Sequence, residues 1–225
     1  MIVAIDGPAG SGKSSTARAV ARALGFRHLD SGALYRALTL AALRSDLPPG
    51  QWDQLDEPAL ESLAVRAEPV GERFRFLSPG VDDESSLRQP AVNDQVSRIA
   101  RVPAVRAWAL DTLRRLAGHH DIVADGRDMG TVVFPDAALK IFMVASPAER
   151  ARRRLAERGV VDPAPAQVDE EARRLNERDR IDSERSVGPL RRAPDAVDID
   201  TTHIGFEEQV AAIVALARLA GAPAP

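Results

Sequence analysis

Residues 1–6 form an apolar run with no polar alternation, followed by glycines at 7, 10 and 12. A run this short fits a buried strand or a buried helix equally, but the glycines end any regular element and favour the strand. Ala17, Val20, Ala21 and Leu24 then fall at i, i+3, i+4 and i+7, one face of an amphipathic helix that Gly25 stops. Residues 26–30 predict a second strand, and Ser31 is placed to cap a helix over 34–43. Helices are expected over 90–101 and 103–117, each opening on a proline whose missing N–H is not needed there. Three more short apolar runs, 121–125, 138–145 and 196–200, each lead through a loop into a helical pattern. In the last of these helices, Val210, Ile213, Val214 and Ala217 share a face. Strands alternating with helices imply parallel pairing with helices on both faces. The expected fold class is α/β, a three-layer sandwich around about five parallel strands.

The pattern changes between 45 and 89. Prolines 48, 49, 58, 69 and 79 punctuate it, and Arg73-Phe74-Arg75-Phe76-Leu77 alternates as a half-exposed strand should. This predicts a small insertion, residues 45–89, with its own short sheet, set into a core of 1–44 and 90–225. Residues 159–165 carry two prolines and no periodicity, so they read as a loop between two arginine-rich helices, within a short lid at about 155–168.

Composition narrows the function. A chain of 225 residues that is 44% hydrophobic and 28% charged buries roughly 70% of its unfolded surface, enough for a core without staples. The absence of cysteine removes disulfides, thiolate zinc sites and cysteine nucleophiles together. A net charge of −3 supplies no basic field for nucleic acid or an anionic membrane. The longest apolar run, residues 210–217, is far short of the ~18 that span a bilayer. No basic stretch precedes Asp6, so no signal peptide is expected. The chain is expected to be soluble and cytoplasmic, a monomer with no nucleic-acid or membrane partner. Lys13 and Lys140 are the only lysines beside 28 arginines. A lysine kept in such a chain suggests a place for a compact ammonium. Lys140, inside an apolar run, is expected to extend its stem to the surface.

Lys13 has such a place. Gly7-Pro8-Ala9-Gly10-Ser11-Gly12-Lys13-Ser14 matches the P-loop pattern G-x-x-x-x-G-K-[ST], between a predicted strand and a predicted helix. The glycines let consecutive N–H groups converge on one oxyanion, and the helix N-terminus adds its dipole. Residues 7–14 together with Ser15 are the expected ATP site. Lys13 reaches the β- and γ-phosphates, and the Ser14 hydroxyl is the candidate ligand of the Mg²⁺ that accompanies ATP.

The acceptor is harder to read. Asp125-Gly126-Arg127-Asp128-Met129-Gly130 follows a predicted core strand, at the edge where open α/β sheets bind ligands. Arg127 suits a phosphate there, or forms a surface ion pair with Asp128. Arg178, Asp182 and Arg185 share a helix face, which binds an anion or is simply solvated. Arg150, Arg153 and Arg154 are candidates to flank the adenine or the phosphates, and spacing does not choose among them. His28, His119, His120 and His203 show no ligand spacing and read as ordinary polar residues.

Four stretches together resemble the bacterial-type cytidylate (CMP) kinases, of the P-loop nucleoside monophosphate kinase group. They are Ile5-Asp6-Gly7-Pro8, Asp30-Ser31-Gly32-Ala33-Leu34-Tyr35-Arg36, residues 124–137, and the spaced Arg178-Asp179, Asp182 and Arg185 followed by Pro189-Leu190. The resemblance implies transfer of a phosphoryl group from ATP to CMP or dCMP. It implies that Ser97, Arg106 and Asp128 face the cytosine edge. Arg36, Arg127 and Arg178 would hold the acceptor phosphate, Asp182 and Arg185 would contact the sugar, and Ser31 belongs to the same side. Lys13, Arg127 and Arg178 would be the catalytic cations. Residues 70–89 are shorter and more polar than the family's inserted sheet. Two other classes remain open: a P-loop kinase for a different small molecule, and a nucleotide-dependent switch. No Asn-Lys-x-Asp guanine-reading pattern supports the switch.

Overall fold

A computed structural model describes residues 1–81, 84–118 and 120–223. In chain order its strands are β1 (Ile2–Asp6), β2 (Arg27–Asp30), β3 (Arg66–Val70), β4 (Arg73–Leu77), β5 (Ile122–Gly126), β6 (Leu139–Val144) and β7 (Val197–Asp200). They form one sheet in the order β3-β4-β2-β5-β1-β6-β7. The five strands from β2 to β7 run parallel, as the alternation of strands and helices requires. Val3, Ala4 and Ile5 at the centre are wholly buried, which is why that segment shows no polar alternation. Asp6 lies opposite Gly126, and Asp30 lies opposite Asp125. Three carboxylates therefore arrive at one edge of the sheet.

Two layers of helices cover it. On one face α1 (Lys13–Leu24) and the final helix, α8 (Phe206–Leu219), pack Ala17, Val20 and Ile213 against Val3, Ile5 and Ile141. On the other, α2 (Ser31–Arg44), α4 (Pro90–Ile99) and α5 (Pro103–Ala117) pack Leu34, Leu38, Ile99 and Leu113 against Leu29 and Ile122. The cap of α2 is one residue earlier than expected. The Asp30 carboxylate accepts from the Ala33 N–H at 2.9 Å, while Ser31 sits in the first turn and donates to the Asp125 carbonyl at 2.8 Å.

Segment 45–89 holds a short helix, α3 (Glu57–Ser62), and the antiparallel hairpin β3–β4. The hairpin is not a sheet of its own, because β4 joins β2 at His28 and extends the main sheet. Trp52, Leu60, Phe74 and Phe76 also pack in the same cluster as Leu29 and Leu38. β3 left no trace in the hydrophobic pattern because it is an exposed edge strand, where Pro69 is tolerated.

Beyond β5, residues Met129–Val133 form a single π-helical turn. α6 (Pro147–Glu157) and α7 (Pro165–Ser183) pack on each other through Ala151, Leu155, Val168 and Leu175, with Ala9 of the glycine-rich loop in the same cluster. Residues 158–164, inside the stretch expected to be a lid, connect them. Lys140 does reach the surface: its Nζ donates to both Asp195 oxygens at 3.0 and 2.8 Å, and its stem lies against Gly130. Among the described residues no helix is long and apolar enough to cross a membrane.

Trp52 tests whether segment 45–89 shares the core. Its ring is 1% exposed, and its Nε1–H donates to the Leu47 carbonyl at 3.2 Å. Trp52→Ala is expected to remove about 3–5 kcal/mol of global stability in chemical denaturation, with one transition preserved. A local effect confined to the hairpin would show instead that the segment folds apart from the core.

Candidate active site

The loop between β1 and α1 is held from behind. A Cβ on Gly7 would lie 2.2 Å from the Met143 carbonyl of β6, so only glycine fits, and Gly12 starts α1 at a left-handed φ of 88°. Arg150 donates to the Ala9 carbonyl at 3.0 Å and pairs with Asp179, whose carboxylate accepts from the Ala9 N–H at 2.9 Å. Arg153 donates to the Ser11 carbonyl at 3.2 Å and to the Thr201 hydroxyl at 2.9 Å. Arg154, bound to Glu157 at 2.6 Å, lines the cleft. Of the three arginines that spacing left equivalent, two brace the loop and one faces the site.

That cleft encloses about 360 Å³. Ala9, Gly10, Gly12, Lys13, Ser14 and Ser15 line one end of it, while Gly7, Pro8 and Ser11 stand behind as scaffold. Ser15 turns its hydroxyl back to the Gly12 carbonyl at 2.9 Å, which leaves its main chain to face a ligand. All nine residues expected on the acceptor side line the same cleft, Ser31, Ser97 and Arg106 among them. Arg185 lies beyond the end of α7 rather than on its face. It still turns inward, donating to the Gly188 carbonyl at 2.7 Å beside Asp182 at 3.7 Å.

Four cations crowd the middle of the cleft. Lys13 is buried, donates to the Pro8 carbonyl at 3.1 Å, and is held well below the usual lysine range by burial and by Arg127, against the pull of Asp125. Burial, with Arg127 and Arg36 nearby, brings Arg178 down to about 9, and its Nε has no partner. Burial brings Arg36 down to about 10, although Asp30 opposes the shift. Arg127 donates to Asp182 at 3.0 Å. Burial by itself would raise Asp182, but Arg127, Arg185 and Arg178 outweigh it and hold the carboxyl low. Positive charge exceeds negative here, so the site lacks anions.

At the far end Arg106 pairs with Asp128 and stacks 5.6 Å from the ring of Tyr35, whose hydroxyl burial pushes up to about 12. Arg106 Nε and Nη1 are buried without partners. The two nitrogens carry three N–H bonds, so this desolvated guanidinium can still donate to acceptors placed beside it.

At the floor the Ser14 hydroxyl donates to Asp125 at 2.5 Å, and the other Asp125 oxygen meets His28 Nε2 at 2.7 Å. Burial would raise Asp125, but the His28 contact, Lys13 and Ser14 together hold it below the usual carboxylate value. Neither Asp125 nor His28 stood out as a site residue in the sequence. Asp125 did carry one clue, its place at the end of a strand, whereas His28 carried none. Among the described residues no group of three or more His, Cys, Asp or Glu side chains forms a metal cage. The Ser14 and Asp125 oxygens instead suit a hard cation that also takes phosphate ligands, as Mg²⁺ does.

Asp6 is a further buried carboxylate. It accepts from the Met129 and Gly130 N–H groups at 2.8 and 2.7 Å, tying the glycine-rich loop to the turn that follows Asp128. Burial raises it to about 7 against those hydrogen bonds and Lys13. The folded protein thus keeps a proton that the unfolded chain releases near pH 4. This contribution to stability is full below about pH 4 and lost as pH rises through about 7. Urea midpoints from pH 5 to 8 are expected to fall less steeply in Asp6→Asn than in the parent, and equal slopes would contradict the assignment.

Residues 3–219 match the family model for cytidylate kinases. The chain is 45% identical to a cytidylate kinase of Pelotomaculum thermopropionicum over 95% of its length and 94% of the relative's. It is 40% identical to one of Mycobacterium leprae, over 97% and 96%. Among solved structures, an uncharacterised Eubacterium ventriosum protein shares the fold at a TM-score of 0.53 and 10% identity, covering 97% of this chain and 98% of that one. Matched by that family model over residues 3–219 and at 40–45% identity to relatives across nearly its whole length, the chain belongs to the cytidylate kinase family.

Proposed function

We infer that this cleft transfers the γ-phosphoryl group of ATP to CMP or dCMP, giving ADP and CDP or dCDP. The observation that carries the reading is the order of groups along one cavity. The phosphate-binding loop lies at one end, the Arg106–Asp128 pair at the other, and Lys13, Arg36, Arg127 and Arg178 between them.

Each group then has a task. The main-chain N–H groups of the loop and Lys13 hold the triphosphate of ATP. Ser14 and Asp125 would hold the Mg²⁺ that enters with ATP, which neutralises charge on the β- and γ-phosphates. Arg36, Arg127 and Arg178 hold the phosphate of the acceptor and keep two mutually repelling anions in line. That acceptor oxygen is already largely anionic at neutral pH, its second pKa being about 6, so no general base is required. As the γ-phosphoryl group passes between the two anions, Lys13, Arg127 and Arg178 stabilise the charge on its oxygens. Asp182 and Arg185 sit where the sugar lies between phosphate and base.

Base choice follows from donors and acceptors. Cytosine offers an exocyclic amine that donates, and the Asp128 oxygen not bound to Arg106 can accept it. The ring nitrogen and carbonyl of cytosine accept, matching the free N–H groups of Arg106 and the Ser97 hydroxyl. Uracil presents a carbonyl where cytosine has its amine, opposing two acceptors at a cost of about 1–3 kcal/mol.

A panel of CMP, dCMP, UMP, AMP and GMP with ATP and Mg²⁺, read by coupled ADP release, tests the reading. CMP or dCMP is expected to lead, with UMP at least about fivefold lower in kcat/KM. Equal or better turnover of UMP or AMP would overturn the assignment. Lys13→Met, which keeps chain length and removes the charge, is expected to lower kcat at least about a hundredfold, as loss of one oxyanion donor does. Near-normal turnover would refute its role.

A further inference from the structure

His28 is the one described histidine buried in the sheet, at 3% exposure, and nothing in the phosphoryl transfer just described uses it. It lies on β2 two residues before Asp30, so both side chains leave the same face of the strand. The register that sets Asp30 opposite Asp125 brings the imidazole within reach of that carboxylate, at 2.7 Å. Asp125 is 1% exposed, and its second oxygen already accepts from the Ser14 hydroxyl at 2.5 Å. An ionised carboxylate only accepts, so His28 Nε2 carries the proton of this contact. The three side chains therefore form a directed chain from β2 to the first turn of α1. His28 orients Asp125, and Asp125 orients Ser14.

We propose that His28 is a positioning residue for the metal–phosphate end of the donor site: by donating to one Asp125 oxygen, it fixes the direction in which the other faces Ser14 and the cation that comes with ATP. The proposal rests on the reading of Ser14 and Asp125 as the groups that hold Mg²⁺. Its physical basis is general. Partners that hydrogen-bond a ligating carboxylate set its orientation, and their loss weakens metal affinity by about 10- to 100-fold. Without the N–H, the buried Asp125 carboxylate keeps only the Ser14 hydroxyl as a side-chain donor and is free to rotate toward Lys13, whose charge also acts on it.

Two substitutions separate orientation from mere filling of space. His28→Leu keeps the volume and removes the donor. His28→Gln places an amide N–H near the position of Nε2. Each protein, saturated with a non-hydrolysable ATP analogue, is titrated with MgCl₂ and followed by thermal unfolding, which reads metal binding without turnover. Steady-state kinetics at fixed ATP with varied Mg²⁺ and varied CMP gives the second readout. The Mg²⁺ midpoint of the nucleotide-bound protein is expected to rise about 10-fold or more in His28→Leu and to return within about threefold of the parent in His28→Gln. The KM for CMP is expected to stay within about twofold in both, since the chain touches only the donor end. An unchanged Mg²⁺ midpoint in His28→Leu would overturn the positioning role, as would equal impairment of the two variants. Should His28→Leu fail to fold, His28→Asn, whose shorter amide cannot reach Asp125 from the same Cα, takes its place under the same two criteria. If the parent protein itself shows no effect of MgCl₂ on the bound analogue, the assignment of Ser14 and Asp125 fails first, and this proposal fails with it.

Discussion

Four cations, one buried and three half-buried, crowd one cleft, and their desolvation and mutual repulsion are the constraint around which this molecule is organised. Lys13, Arg36, Arg127 and Arg178 converge on one cleft from α1, α2, the end of β5 and α7. Lys13, Arg36 and Arg178 are shifted toward the neutral form, chiefly by desolvation and in part by their cationic neighbours. A fold that brings such groups together with fewer anions than cations accepts a penalty in the free state, and anionic substrates relieve it. Two phosphate-bearing nucleotides supply the missing charge. The strain of the empty site and the affinity of the filled one are then the same electrostatic term seen from two sides.

The scaffold makes that arrangement tolerable by distributing carboxylates around it. Asp182 holds Arg127, Asp125 offsets Lys13, and Asp30 both caps α2 and faces Arg36. Each carboxylate lies in the last two residues of a regular element, so its position is set by sheet register or helix phase rather than by a flexible loop. Arg150 and Arg153 do the corresponding work behind the glycine-rich loop, holding the Ala9 and Ser11 carbonyls so that the N–H groups face forward. Asp6 links this loop to the turn that directly follows Arg127 and Asp128, which ties the two ends of the cleft together mechanically.

Much of this was legible in the chain because it depends on local spacing. The eight residues of the phosphate loop are contiguous, and the strands with buried, unalternating apolar runs lie within a residue or two of where the pattern puts them. What could not be read is set by tertiary register. His28 looks like any polar residue until β2 is laid beside β5. Asp125 and Asp6 become interaction centres only when three strand ends meet. The choice among Arg150, Arg153 and Arg154 depends on the rotation of α6 over the loop, which spacing does not encode. β3 escaped notice because Arg66-Ala67-Glu68-Pro69-Val70 is mostly solvent-exposed and has no apolar side to reveal it. Helical spacing puts Arg185 on the face of Arg178 and Asp182, but α7 ends two residues before it, and the turn returns it to the same cleft.

Thermal stability of Arg178→Met, with and without CMP, tests this account most directly. Arg178 has like-charged neighbours and a buried Nε without a partner. Removing its charge should leave the ligand-free protein at least as stable as the parent while abolishing most of the rise in Tm that CMP produces. A variant that is markedly less stable when empty, and still stabilised by CMP to the full extent, would contradict the idea that the cleft stores repulsion for its substrates to release.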